Sequence, residues 1–150
     1  MTEVSFYHLE RQSLDEAMAQ LLAKASQASL KAVVRVSNDM LLKSLDRALW
    51  EKPVNSFLPH ATAKDANSEL QPIYITAGLD NPAVATVLVV VNDADFAEFE
   101  AYDRVLYVFE GQNQLNVEHA RGQWKGFRDK GVTLKYWQQG ERGNWQLKAS

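Results

Sequence analysis

The chain has 150 residues, of which 46% are apolar and 23% charged, the composition of one globular domain rather than of a disordered or fibrous protein. It contains no cysteine, which excludes disulfide bonds and thiolate chemistry. Its net charge of −3 argues against nucleic-acid binding over the whole surface. The charge is uneven, because residues 111–150 hold seven basic and three acidic residues, whereas residues 1–110 hold nine basic and sixteen acidic ones. This imbalance indicates either a local anionic partner or an ordinary solvated surface.

The N-terminal sequence has acidic Glu3 and no basic stretch ahead of an apolar segment, so it does not have the features of a signal peptide. The longest apolar run, Val87 to Val91 with its flanks, is too short to span a bilayer. We therefore expect a cytoplasmic protein that has no membrane partner.

The first third of the chain predicts two strands, each followed by a helix. The predicted strands cover residues 4–9 and 31–36, and the predicted helices cover residues 13–28 and 39–52. Ser13 and Glu16 fit a capping box at the start of the first helix. Asn38 or Asp39 can cap the second helix, and Pro53 prevents it from continuing.

The rest of the chain continues with strands and helices in alternation. Strands are predicted over residues 71–76, 85–91, 105–109 and 133–137, a short helix over 93–99, and a long helix over 112–129. The run from Ala85 to Val91 is almost entirely apolar and β-branched, as expected of a central strand buried on both faces. Gly131 is the expected C′ residue of the long helix. We expect residues 138–150 to form a partly ordered tail.

Alternating strands and helices predict an α/β fold in which a mostly parallel twisted sheet carries helices on both faces, a three-layer and Rossmann-like arrangement. Right-handed crossovers place the first two helices on one side of the sheet. The expected organisation is a single domain over residues 1–150.

The chemistry of an enzyme is not visible in this sequence. It has no G-x-G-x-x-G and no G-x-x-x-x-G-K-[ST] motif after any strand, and Glu10 stands where a phosphate would need bare amide groups. The histidines His8, His60 and His119 lie on separate elements and have no partner at ligand spacing. One cluster of acidic residues matches no calcium loop; it comprises Asp93, Asp95, Glu98, Glu100 and Asp103. We predict no catalytic residue, no cofactor and no metal ligand.

A first candidate binding segment leaves the second helix at Trp50. Trp50 and Phe57 are large apolar residues in a segment braced by Pro53 and Pro59, which lowers the entropic cost of holding them as anchors for a partner. The alternative is that both rings fold back and cover the edge of the sheet.

A second candidate is the long helix, which places basic and aromatic side chains in one stripe. At 100° per residue, Val117, Arg121, Trp124 and Arg128 share a narrow stripe, and Lys125 lies beside it. Arginine pairs with carboxylates through two parallel hydrogen bonds, and tryptophan provides a flat apolar wall. Such a stripe suits an aromatic or carboxylate ligand, although a solvated helix with one half-buried tryptophan would have the same pattern.

The sequence resembles the chi subunit of bacterial DNA polymerase III. The resemblance rests on FYHL at residues 6–9 and on LDRALWEKPVNSFLPH at residues 45–60, which match the family pattern F-Y-x-L, then L-D-x-x-L-W, a proline, and S-F-x-P-H. It implies a non-catalytic accessory subunit of the replicative polymerase. Such a subunit connects the clamp-loader assembly, through the small psi subunit, to the acidic C-terminal tail of single-stranded DNA-binding protein, and touches DNA only through these partners.

The resemblance also implies roles for particular residues. For the tail, the resemblance and the apolar pocket expected beside the basic residues together predict Val108, Arg121, Trp124, Lys125 and Arg128. Val108 and Trp124 are expected to line the pocket. The surface for a psi-like subunit is Trp50, Pro53, Phe57 and Leu58. Two alternatives stay open: a degenerate nucleotide pocket at the carboxyl edge of the sheet, and weak binding of single-stranded DNA by the basic C-terminal quarter with Trp124, Trp137 and Trp145 as stacking platforms.

Overall fold

The structure is a computed structural model that describes residues 2–10, 12–51, 60–62, 71–140 and 144–149, of which residues 50, 51 and 61 are described by their backbone alone. The helices are α1 (Leu14–Gln27), α2 (Asp39–Glu51) and α3 (Gln114–Asp129). The strands are β1 (Glu3–Leu9), β2 (Ala32–Arg35), β3 (His60–Ala61), β4 (Ile73–Thr76), β5 (Val87–Val91), β6 (Arg104–Glu110), β7 (Thr133–Gln139) and β8 (Trp145–Ala149).

The strands of the described residues form one sheet in the order β3-β4-β2-β5-β6-β1-β7-β8. Every neighbouring pair is parallel except β7 and β8, which are antiparallel. The predicted mostly parallel sheet is thus confirmed. The helix that follows β1, α1, packs on one face of the sheet, and the helix that follows β6, α3, packs on the other. The topological switch point of the sheet therefore lies at the carboxyl ends of β1 and β6.

Helices cover both faces of the sheet, as predicted. Residues of α1 and α2, such as Met18 and Leu45, share one buried cluster with Val34 and Val89 of the sheet. On the opposite face, Ala120 and Phe127 of α3 belong to a second cluster, which is rich in aromatic rings. The two clusters sandwich β5, whose five residues are all buried, and this explains its continuous apolar sequence.

The helix ends follow their sequence signals. The Ser13 hydroxyl accepts a hydrogen bond from the Glu16 amide at the start of α1, and Asn38 caps α2 in the same way through the Leu41 amide. At the end of α3, Gly131 has φ of 75°, a left-handed conformation that glycine adopts without steric cost. The Val132 amide then donates to the carbonyl of Phe127, which completes a Schellman motif.

The prediction of a short helix over residues 93–99 is wrong. This segment runs instead as a series of turns that ends in one 3-10 turn, Phe99–Ala101. The reason is Arg35, which is only 2% exposed and whose Nη1 donates to the carbonyls of Asp95 and Ala97 at 2.8 Å each. The Asp95 side chain also accepts from the Ala97 amide, so side chains satisfy the backbone groups that a helix would have paired.

Arg35 also lies close to a carboxylate in the loop that follows β4. Hydroxyl groups of Tyr74 and Thr76 donate to Asp80. Burial acts to raise the pKa of Asp80, but these hydrogen bonds and the charge of Arg35 outweigh it and hold the pKa below its ordinary value. Asp80 is therefore ionised in the folded protein at neutral pH and helps to fix the loop beside β2.

The expectation of a partly ordered tail over residues 138–150 missed the last strand. β7 extends through Gln139, and β8 returns antiparallel to it with Trp137 opposite Leu147 and Gln139 opposite Trp145. Trp145 packs against the cluster on the α1 side, which gives this otherwise exposed strand an apolar anchor.

Candidate protein-binding site

The centre of the candidate site is Trp124, which α3 holds half-buried against the sheet. Its ring meets the buried ring of Phe6 edge-on at 5.3 Å between centroids, and the ring of Tyr136 edge-on at 5.6 Å. Edge-to-face contacts of this kind fix ring orientation. Trp124 is thus an apolar wall held by β1 and β7 rather than a free side chain.

Polar side chains of β1 and β7, together with Glu10, form a group that adjoins Trp124 through Tyr136. The hydroxyl of Tyr136 and Nδ1 of His8 are hydrogen-bonded at 2.7 Å, and Nε2 of His8 lies 3.8 Å from a carboxylate oxygen of Glu10. Burial lowers the pKa of His8; Glu10 opposes this shift, whereas the positive charge of Arg121 adds to it. The imidazole is therefore neutral at pH 7. Burial likewise raises the pKa of Tyr136, which keeps its hydroxyl protonated.

The positive charge of the site comes from the outer side of α3. Arg121, Lys125 and Arg128 are all exposed and lie next to the half-buried Val117 and Trp124, as the helical spacing predicts. Arg121 precedes Trp124 by three residues, about one turn of α3. Its positive charge affects the pKa of both His8 and Tyr136. The structure therefore brings together an apolar surface and cations that are free to move toward an anionic ligand. We refer to Val117, Arg121, Trp124, Lys125, Arg128 and Tyr136 as the α3 site.

Val108 does not belong to the α3 site, contrary to the expected pocket of Val108 and Trp124. Its side chain is completely buried in the cluster beneath α1 and α2. Its neighbours Tyr107 and Phe109 point to the α3 side instead. Because side chains alternate along a strand, the sheet separates Val108 from Trp124.

Sequence reasoning missed Tyr136 and treated His8 only as a structural residue. The alternation of VSFYHL does place His8 on the same face as Phe6, which was the available signal. The pairing of Tyr136 with Phe6 across β1 and β7 links residues that are far apart in the sequence, so no local pattern could reveal it.

The second predicted site lies largely outside the described residues. Pro53, Phe57 and Leu58 are not among them, and Trp50 is described only as a backbone position near the end of α2. What the structure does describe is the base of this segment. Nε2 of the buried His60 lies 3.1 Å from a carboxylate oxygen of Asp46, so the residues on either side of the predicted partner-binding segment are tied together.

The carboxyl ends of β1 and β6, where a nucleotide would bind in folds of this class, have the wrong chemistry for a phosphate. A cavity of about 330 Å³ there is lined by the acidic residues Glu10 and Glu110. The amides of Glu10 and Gln12 already donate to the side-chain oxygen of Gln139. The amide groups that could have cradled a phosphate are therefore occupied, and the nearby carboxylates repel it.

The part of the chain that the structure describes contains no group of three or more His, Asp or Glu residues placed to hold a metal ion. Among the same residues, no helix is long and apolar enough to cross a membrane.

Two comparisons with known proteins agree with the resemblance seen in the sequence. Residues 1–135 match the family described as "DNA polymerase III chi subunit, HolC". The chain is also 30% identical over 110 residues to a protein of Rickettsia prowazekii (strain Madrid E) named "Probable DNA polymerase III subunit chi". That alignment covers 73% of this chain and 67% of the relative.

Proposed function

Because the chain belongs to the DNA polymerase III chi subunit family, we propose that it is a non-catalytic adaptor that joins the clamp-loader assembly to single-stranded DNA-binding protein in the bacterial cytoplasm. Family membership makes it an accessory subunit of the polymerase rather than the catalytic one. The adaptor role has two parts: capture of the acidic tail of single-stranded DNA-binding protein at the α3 site, and docking of a psi-like subunit at residues 50–58.

The observation that carries the first part is that Arg121 lies one turn of α3 before Trp124, whose ring packs against Tyr136. The family's ligand is a tail that is acidic and ends in an apolar aromatic residue with a free carboxylate. An aromatic side chain gains from packing edge-on or offset against the Trp124 ring. Arg121 can then take the terminal carboxylate through two parallel hydrogen bonds. Each half of the ligand thus meets a complementary group.

The remaining cations extend the site along the helix. Lys125 and Arg128 are exposed and follow Arg121 on the same side of α3, so they can pair with the acidic residues that precede the end of the tail. Pairs of this kind are solvent-exposed and contribute less than about 1 kcal/mol each. They serve mainly to attract and orient the tail, and binding should weaken as salt rises.

The second part of the proposal concerns Trp50, Pro53, Phe57 and Leu58. Its support is the sequence motif together with the 3.1 Å contact between Asp46 and His60, which holds the two flanks of this segment close together. Because these flanks are already held together, a partner that binds between them does not have to pay the loop-closure entropy. The segment leaves α2, which covers the face of the sheet opposite α3.

The test is a fluorescence-anisotropy titration of the whole chain with a labelled tail peptide. Arg121→Ala removes the pairing with the terminal carboxylate, which we take as about 1.5–3 kcal/mol in total, so we expect the Kd to rise by roughly ten- to a hundredfold. Arg104→Ala is the matched control, because it removes an exposed arginine from β6 rather than from α3. An amidated peptide, which lacks the terminal charge, should bind the unaltered chain as weakly as the natural peptide binds Arg121→Ala.

Two results would contradict the α3 site. Equal losses for Arg121→Ala and Arg104→Ala would mean that only overall charge matters. Unchanged binding of Trp124→Ala would mean that the aromatic wall does not contact the tail. Trp124→Phe keeps a ring in place and should retain most of the affinity, which separates loss of the wall from loss of the fold.

A further inference from the structure

Three aromatic side chains form a surface on the face of the sheet opposite the α3 site. Tyr7 and Trp137 lie nearly parallel, at 10° and with 6.5 Å between ring centroids, and Trp145 meets Tyr7 edge-on at 5.1 Å. All three rings are half-buried, so each still presents part of its surface to solvent. Leu147, which is 50% exposed and opposite Trp137 on β8, extends the surface toward the edge of the sheet. We call Tyr7, Trp137, Trp145 and Leu147 the aromatic face.

Basic side chains border the aromatic face. Lys24 of α1 and Arg104 of β6 line a cavity of about 220 Å³ together with Tyr7, and both are exposed. Lys135 lies two residues before Trp137 on the same side of β7, and its Nζ is 3.3 Å from a carboxylate oxygen of Glu3. Three cations therefore border the aromatic face, of which Lys135 is paired with Glu3, on a chain whose net charge is −3.

We propose that the aromatic face binds single-stranded DNA directly. Exposed aromatic rings combined with a basic border are the features by which proteins bind single strands without sequence preference: bases stack on the rings, and cations neutralise the phosphates. The strand β1 spans about 13 Å from Tyr7 to Glu3, which is longer than one nucleotide of an extended single strand. The face is thus long enough for more than one nucleotide, and membership of a DNA polymerase subunit family indicates DNA as the nucleic acid.

The structure also defines which tryptophans take part. Trp124 packs with Phe6 on the α3 side, whereas Trp137 and Trp145 pack with Tyr7 on the α1 side. A single platform of Trp124, Trp137 and Trp145 is therefore impossible. The proposed DNA surface is distinct from the α3 site, and changes at one site should leave the other intact.

The experiment uses the whole chain and a labelled deoxythymidine oligomer of about ten nucleotides, within the range of single-strand sites. At low salt we expect saturable binding that Trp145→Ala weakens on the order of tenfold and that Trp145→Phe largely retains. Arg104→Ala should weaken binding and reduce the slope of log K against log salt by about 0.7, the value for one phosphate contact on a single strand. Arg121→Ala is the control here, and it should bind the oligomer as the unaltered chain does.

Four results would overturn the proposal. The first is that the oligomer does not bind at low salt. The second is that Arg121→Ala abolishes its binding while Trp145→Ala does not, which would place DNA on α3. The third is displacement of the oligomer by the tail peptide, which would mean that both ligands share one site. The fourth is that the chain sediments as a dimer and that this dimer does not bind the oligomer. A second copy of the chain would then cover the aromatic face.

Discussion

Replacing Arg35 with Met tests whether one buried guanidinium organises the loop over residues 92–103. Its Nη1 donates to the carbonyls of Asp95 and Ala97, and hydrogen bonds to charged groups are worth about 1.5–3 kcal/mol each. Burial of the charge itself costs stability, and its removal offsets part of that loss. The net expectation is a loss of about 2–4 kcal/mol, a large part of the roughly 5–15 kcal/mol that holds a domain folded.

The assay is equilibrium unfolding in urea, in which this loss should lower the midpoint by about 1–2 M for an m-value of about 2 kcal/mol/M. Hydrogen exchange should also accelerate locally, at the amides of Ala97, Phe99 and Ala101, because their turns depend on the anchored carbonyls. Arg104→Met, at an exposed position, should leave the midpoint within about 0.3 M. If Arg35→Met behaves like this control, the guanidinium does not determine the path of the loop.

Three smaller changes test other features of the fold. Gly111→Ala would place a Cβ atom 2.0 Å from Nε2 of His8, so we expect a loss of about 1–3 kcal/mol by urea unfolding and an altered His8 imidazole signal in NMR spectra. Ser13→Ala removes the cap of α1 and should cost about 1 kcal/mol in the same assay, whereas Ser13→Asp should not. Asp80 has a lowered pKa in the folded state, so its contribution is present above pH of about 4 and is lost as the pH falls further. Asp80→Asn should therefore be less stable than the unaltered chain at pH 7, by less than about 1 kcal/mol because the residue is exposed. This difference should shrink as the pH falls below about 4, and a difference that stays constant would contradict the role of its charge.

Features that depend on neighbouring residues could be predicted from the sequence. The cap at Ser13 and the Schellman motif at Gly131 are local hydrogen-bond patterns, and both stand where the sequence places them. The stripe of α3 is equally local, because helical spacing alone decides which side chains share a face. The continuous apolar run of β5 indicated a central strand for the same kind of reason.

Features that depend on distant residues could not be predicted. The segment 93–99 has helical composition, but its path is decided by Arg35, some sixty residues earlier. The face of Val108 could not be assigned, because β6 carries apolar residues on both sides and so gives no alternation to read. Tyr136 joins the α3 site only because β7 pairs with β1, a contact between the two ends of the chain.

Both proposed sites are assigned anionic ligands although the chain as a whole is acidic, and the distribution of charge in the fold is compatible with this. Acidic residues gather at the carboxyl edge of the sheet, where Glu10, Asp93 and Glu110 line cavities. This edge repels an acidic tail or a DNA strand, whereas the two faces attract them. The faces meet at β1, which presents Phe6 and His8 to the α3 site and Tyr7 to the aromatic face. If both proposals hold, a tail and a DNA strand can be bound at the same time on opposite sides of one strand.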